Sequence, residues 1–223
     1  AIGDALGNTS EGLTAAEREG RFGEIRDYLP NPHAGGTRVG LPSDDTQLTF
    51  WTLESLLELG ALDPDDLAAR FASRQIFGIG KSVQQFLHNR EQGITPWYRC
   101  GAESAGNGAL MRIAPIVLLH PDGTGPGLWL DTALASIVTH RDASSVAACV
   151  AFTDLLSRLL RLPAPPTAEW IIGTFAGTVR QVCTDEQYSA RGGLLSGGSG
   201  SFPDCLDRAL TEAARQRWRT RQP

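Results

Sequence analysis

Ser43-Asp44-Asp45-Thr46 sets four oxygen-bearing side chains in a row, immediately ahead of an apolar helical pattern. Two chemistries fit. Ser43 or Asp44 can cap the helix that follows, with acidic residues in the first turn favoured by the helix dipole. The same oxygens suit a hard divalent cation, since Mg²⁺ takes carboxylate, hydroxyl and water ligands. The stretch alone leaves both open. Three further segments carry reactive residue types, two of them among glycines. Gly3-Asp4-Ala5-Leu6-Gly7, followed by Glu11, is either a turn that begins a helix or a tight backbone able to approach a ligand, with Asp4 as cap or orienting group. Ser104 to Arg112 places a Gly-flanked Asn107 at a helix start, where backbone N–H groups either bind phosphate or are simply capped. Thr139-His140-Arg141-Asp142 puts a histidine between helices, packed or at the surface in one reading and catalytic in the other.

The elements that must position these residues read as helices. Leu48, Trp51, Leu53, Leu56, Leu57 and Leu59 recur at helical spacing, and Gly60 stands at the C-terminal cap position. Pro64-Asp65-Asp66 starts a second helix through Leu67, Phe71 and Ile76. Asp142 or Ser144 opens a long one that stops before Pro163, Thr167 caps another through Val179, and Ser201 or Pro203 opens a last one. Ile113 to Leu119 has strand length but reads equally as buried helix, and no set of alternating strands is present. The expected fold is all-α, one domain over 1–223. Long Gly-rich connections lie between the helices: Gly3 to Gly40, Gly78 to Gly80, Gly101 to Gly108 and Gly192 to Ser201. Such loops in a helical domain are usually functional or disordered.

The 223 residues are 41% hydrophobic and 20% charged, enough for a sizeable core, with a formal net charge of -5 and no basic face. A nucleic-acid partner is not expected, and an anionic ligand would need a metal ion or backbone N–H groups to hold it. The four cysteines are far apart without a CxxC pair, which argues against a structural zinc site and for reduced thiols. No apolar run approaches the roughly 20 residues of a membrane span. The expectation is a cytoplasmic, monomeric protein with no membrane association. Residues 1–4 begin inside a motif and the tail from Arg215 is polar without a core pattern, so the chain reads as cut at both ends.

Taken in order, GDALG with Glu11, SDDT, FGIG, GNGALMRIAPI and THRD resemble the ADP-ribosylglycohydrolase family, which includes the dinitrogenase reductase-activating glycohydrolases. The resemblance runs from Gly3 to about Ala151. It implies a compact, orthogonal multi-helix domain that removes ADP-ribose from a modified side chain or related conjugate, using two Mg²⁺ or Mn²⁺ ions. It further implies that Ser43, Asp44 and Asp45 form one half of the metal site, with Asp45 bridging the metals and a candidate base. Glu11 then stands near the scissile bond as an acid or gate. Ser104, Ala105, Gly106, Asn107 and Gly108 match the loop that cradles the diphosphate and distal ribose. Gly78 and Gly80 match a second backbone contact, and His140 lines the same cleft. Ala105 lacks the aromatic or polar side chain that some relatives carry there.

The family's late D-x-D-T element is not found. Thr184-Asp185-Glu186 has the wrong order, and Asp204 with Asp207 lacks the Thr. The expectation is a half-complete metal site that holds a cation weakly. Two readings therefore stand: a metal-dependent hydrolase, and a catalytically impaired or non-catalytic ADP-ribose-binding member of the same fold. A helical interaction domain without ligand would account for the periodicity but not for the Gly-rich loops.

Overall fold

In the computed structural model of the protein, residues 1–183 and the backbone of two short strands, 187–189 and 199–201, are described. The heptad-like leucines form α3 (Asp44–Leu59), which ends where Gly60 adopts a left-handed φ of 68° that a side chain would disfavour. Leu48 and Leu56 of this helix are buried, and each contributes about 2 kcal/mol by leaving water. Its buried face packs on 3₁₀ turns at Leu110–Arg112 and Ala114–Leu119, so the apolar run at 113–119 is buried helical structure and not a strand.

The later helices follow their caps. Asp142 Oδ1 accepts from the N–H groups of Ser144 (2.9 Å) and Ser145 (3.1 Å) to open α7 (Ala143–Leu159). Thr167 caps α8 (Ala168–Val182) in the same way, through the Trp170 N–H. These two helices and α6 (Pro126–Ile137) pack in sequence, α6 on α7 and α7 on α8. The core joins α6 and α7 to α3, α4 (Pro64–Ser73) and α5 (Lys81–Glu91) through Leu67, Phe71, Val83, Phe86, Ile113, Ile116, Leu128, Val138 and Cys149. No helix among the described residues is long and apolar enough to cross a membrane.

Several local expectations need correction. The Gly3–Gly40 connection contains α1 (Ile2–Gly7), α2 (Ala15–Phe22) and an antiparallel pair, β1 (Pro30–Asn31) with β2 (Thr37–Arg38). Helix α2 buries no residue, and its sequence signals are the Thr14/Glu17 capping box at its start and Gly23 at its end. The second helix stops at Ser73, because Gln75 to Phe77 turns back to bond Gln47 of α3: Gln47 Nε2 donates to the Gln75 carbonyl at 3.0 Å and the Phe77 N–H to Gln47 Oε1 at 2.8 Å. Helices α5 and α6 were also unexpected; α5 is largely polar, with only Val83 and Phe86 buried. A second antiparallel pair joins β3 (Gln187–Ser189) to β4 (Ser199–Ser201), so Ser201 lies in a strand. Pro203 with the rest of the expected last helix, and Thr184 to Glu186, Asp204 and Asp207, lie outside the described residues.

Candidate active site

The N-terminus of α3 is capped from another helix. Ser43 holds the N-cap position but its hydroxyl makes no capping bond. It donates instead to Asp4 Oδ1 at 2.7 Å, while Asp4 Oδ2 accepts from the Ser43 N–H (2.9 Å), the Thr46 N–H (3.3 Å) and the Thr46 hydroxyl (2.6 Å). Asn8 Nδ2 also donates to Asp4 Oδ1, at 3.1 Å. Burial works to raise the Asp4 pKa, but the bonds from Thr46, Ser43 and Asn8 outweigh it and hold the carboxyl below its ordinary value. Because Asp4 satisfies the helix end, Asp44 and Asp45 are released from capping.

Asp44 is buried, 7% exposed, and is fixed by its own N–H donating to the Phe77 carbonyl at 2.8 Å and by the Gly80 N–H on its carboxylate. Gly78 must be glycine here: its φ is 74°, and a Cβ would sit 3.2 Å from the Ser43 Cβ. Burial, then the charges of Asp45 and Glu11, push the Asp44 pKa up to about 6. Asp45 is half-buried, and its Oδ2 lies 3.2 Å from the Ser43 hydroxyl, whose proton is directed to the nearer Asp4. Glu11 is exposed, in extended backbone just after the 3₁₀ turn Asn8–Ser10.

The raised Asp44 pKa has a consequence for folding. An acid whose folded pKa lies above its unfolded one destabilises the fold once ionised. Asp44→Asn is therefore expected to stabilise the metal-free chain by about 1 to 3 kcal/mol at neutral pH. The gain should fade as pH drops below about 6 and vanish below the unfolded value of 3.8. Urea melts in EDTA across that range measure it; a variant no more stable than wild type at neutral pH would show that the crowding of these carboxylates costs nothing.

Opposite the carboxylates lies the Gly-rich loop. Ala102 N–H donates to the Thr139 carbonyl (2.9 Å) and Arg141 N–H returns to the Ala102 carbonyl (2.7 Å), while Arg141 Nε holds the Gly101 carbonyl at 2.9 Å. Ser145 of α7 donates to the Gly106 carbonyl at 3.1 Å. The loop and the Thr139–Asp142 segment thus form one unit. His140, 1% exposed, packs beneath it: a Cβ on Gly108 would meet the His140 ring at 2.8 Å, and one on Gly106 would meet Nε2 at 3.4 Å. Gly108→Ala is accordingly expected to displace His140 and destabilise the chain by about 1 to 3 kcal/mol, readable by denaturant melts; a loss below about 0.5 kcal/mol would contradict the packing.

Between the two walls is a cavity of about 300 Å³ lined by Glu11, Asp44, Asp45, Gly78, Gly80, Lys81, Ser82, Val83, Gly106, Asn107, Gly108, Met111 and His140. It brings together most of the residues singled out from sequence. Ser104 and Ala105 do not line it; Ser104 supports the loop, its hydroxyl accepting from Ser82 Oγ (2.9 Å) and from the Gly106 N–H (3.2 Å), and Ala105 is exposed. Ser43 opens instead on an adjoining cavity of about 80 Å³. A third, of about 450 Å³, includes Asp4, Arg18, Glu11 and Asp45. Glu11 stands where all three meet. The sequence reading missed Lys81, Ser82, Val83 and Met111. The first three begin α5, whose N-terminus has no side-chain cap and opens on the cavity. Gly80 before a Lys-Ser start was the available signal.

As a donor set for a metal, Asp44 and Asp45 offer adjacent carboxylates whose repulsion a cation would relieve, which suits one side of a hard ion's shell. Among the described residues, no three His, Cys, Asp or Glu side chains cluster closely enough to hold a metal ion by themselves.

The sequence model of the family described as ADP-ribosylglycohydrolase matches residues 1–222. The chain belongs to this family. An uncharacterized protein of Archaeoglobus fulgidus is 38% identical over 124 residues, covering 54% of this chain and 40% of that protein. The ADP-ribosyl-[dinitrogen reductase] glycohydrolase of Rhodospirillum rubrum is 32% identical over 175 residues, covering 72% of this chain and 55% of its own length. A solved structure titled ADP-ribosylglycohydrolase-related protein complex superposes with a TM-score of 0.62 at 31% identity, over 79% of this chain and 58% of that one. The all-α fold expected from the sequence is the fold of the family. The chain spans about half the length of the curated relatives it matches.

Proposed function

We propose that this chain carries the ligand cleft of a hydrolase that removes ADP-ribose from a modified protein side chain or a related conjugate, with Mg²⁺ or Mn²⁺ held by Asp44, Asp45 and Ser43. The observation that carries the reading is the cavity in which Glu11, Asp44 and Asp45 face Gly106–Gly108 and His140. A ligand that is anionic at one end and a sugar at the other fits such a cleft. The loop N–H groups, the uncapped start of α5 and Lys81 offer positive potential to a diphosphate. The carboxylates would then lie at the glycosidic end.

A divalent cation, when bound, would offset the charges of Asp44 and Asp45 and supply Lewis acidity. The chain's own groups do the rest. Asp4 holds the Ser43 and Thr46 ends of α3, so that Asp44 and Asp45 keep a fixed aim. Asp45, half-buried on the wall, is placed to accept a proton from an attacking water. Glu11, exposed at the junction of the cavities, is placed to donate to or gate the leaving group; the attack passes through an oxocarbenium-like state. The name of the R. rubrum relative supports a protein-linked substrate.

A second reading, binding of ADP-ribose without turnover, is favoured by the absence of a three-ligand metal cluster among the described residues. Incubating the chain with ADP-ribosyl-arginine and ADP-ribosyl-serine peptides, in Mn²⁺ or Mg²⁺ and in EDTA, separates the two. Cation-dependent release of ADP-ribose is the expected result. Binding of the product without release would select the second reading, and neither would contradict both.

A further inference from the structure

Arg112 is fully buried, its guanidinium lies 4.9 Å from the centre of the Phe71 ring, and its Nε and Nη1 have no hydrogen-bond partner. Only Nη2 is engaged, donating to the Ala135 carbonyl at 2.9 Å and to Thr139 Oγ1 at 2.7 Å. A buried cation retained for two bonds calls for a role beyond packing, because desolvating a guanidinium is costly. Burial lowers its pKa to about 10, which leaves it charged at neutral pH.

The second bond reaches the cleft. Thr139, itself fully buried, is 2.9 Å from His140 Nδ1. Arginine only donates, so Thr139 Oγ1 accepts from it and retains a single proton of its own. If Nδ1 carried the imidazole proton, the hydroxyl proton would be left without an acceptor in a site closed to water. If Nδ1 is bare, the hydroxyl donates to it and every proton in the chain of bonds is satisfied. The imidazole proton then sits on Nε2, the edge that faces Gly106 and Gly108. Burial, then the Arg112 charge, push the His140 pKa down to about 4, so the ring stays neutral.

We propose that Arg112 and Thr139 are positioning residues that fix His140 in its Nε2–H tautomer and aim that N–H into the cleft, where it donates to an anionic oxygen of the ligand. Arg112, which has no place on the cavity wall, acts through Thr139. The tautomer half of this statement stands on the hydrogen bonds alone; the ligand half rests on the function proposed above.

Histidine-selective ¹⁵N labelling of the ligand-free chain reads the tautomer directly, with H140Q assigning the resonance among the four histidines. The wild type is expected to show Nε2–H alone, and Thr139→Val, which removes the donor to Nδ1, to leave His140 in a mixture of the two tautomers and to weaken ADP-ribose binding about 10-fold in calorimetry. Thr139→Ser, which restores the hydroxyl, is expected to recover both. Thr139→Val carries the test because Arg112→Met, with a large buried group removed, can fail to fold. An Nδ1–H tautomer in the wild type, or a Thr139→Val chain with unchanged tautomer and affinity, would overturn the proposal. A wild type that holds His140 as Nε2–H but binds no ADP-ribose would sink the proposed ligand and its contact while sustaining the positioning chain.

Discussion

Asp45→Asn is expected to cut ADP-ribose release by about 10² to 10⁴-fold and to weaken Mn²⁺ binding, while unfolding free energy changes by less than about 1 kcal/mol. The separation follows from how little the fold asks of this carboxylate. Asp45 is half-buried and its side chain makes one long polar contact, 3.2 Å, with the Ser43 hydroxyl, which an amide oxygen can make as well. What the amide lacks is the negative charge for a cation and the basicity for a water. Turnover, Mn²⁺ titration and urea melts on the same preparation check all three. A folded Asp45→Asn chain that kept both metal affinity and turnover would remove this residue from the proposed chemistry.

Asp4→Ala should behave in the opposite way and damage the fold first. Its carboxylate gathers Ser43 and Thr46, through backbone and side chain, together with Asn8. Removing it leaves those donors at the start of α3 without their acceptor, and the expected loss is about 2 to 4 kcal/mol. The sign with pH is also set. Asp4 titrates lower in the folded state, so its contribution is full above the ordinary carboxylate value of 3.8 and is lost as pH falls through the lower folded pKa. The gap between wild type and Asp4→Ala should therefore be widest near neutral pH and narrow in acid. Denaturant melts at several pH values test this. A loss under about 0.5 kcal/mol at neutral pH would mean that water satisfies the helix end as well as Asp4 does.

The contrast between these two aspartates shows what the sequence disclosed and what it withheld. Positions that announce themselves by local rules were legible: Gly60 after an apolar period, and Asp142 and Thr167 at helix starts. The motif order also led to the family, and residues of SDDT, FGIG, GNG and THRD line one cleft together with Glu11. Asp4 capping α3 was not legible, because the partners are 39 and 42 residues apart and no periodicity records such a bond. Ser43 looked like an ordinary cap for the same reason. Helix α2 hid because it buries nothing, and α5 because its polar face dominates its composition. The glycines at 106 and 108 read as a phosphate loop or a plain helix cap; their fixed requirement is the His140 ring packed against them, contributed by a distant segment. Arg112 gave no sign of burial, since an arginine is ordinarily exposed.

The central claim is that this cleft accepts ADP-ribose with a divalent cation on the Asp44–Asp45 side. Calorimetric titration of ADP-ribose into the chain, with Mg²⁺ or Mn²⁺ and then in EDTA, tests it most directly. The expected result is saturable one-site binding that strengthens with the cation and loses that dependence in Asp44→Asn. Absence of binding in either condition, or binding indifferent both to the cation and to Asp44→Asn, would contradict it.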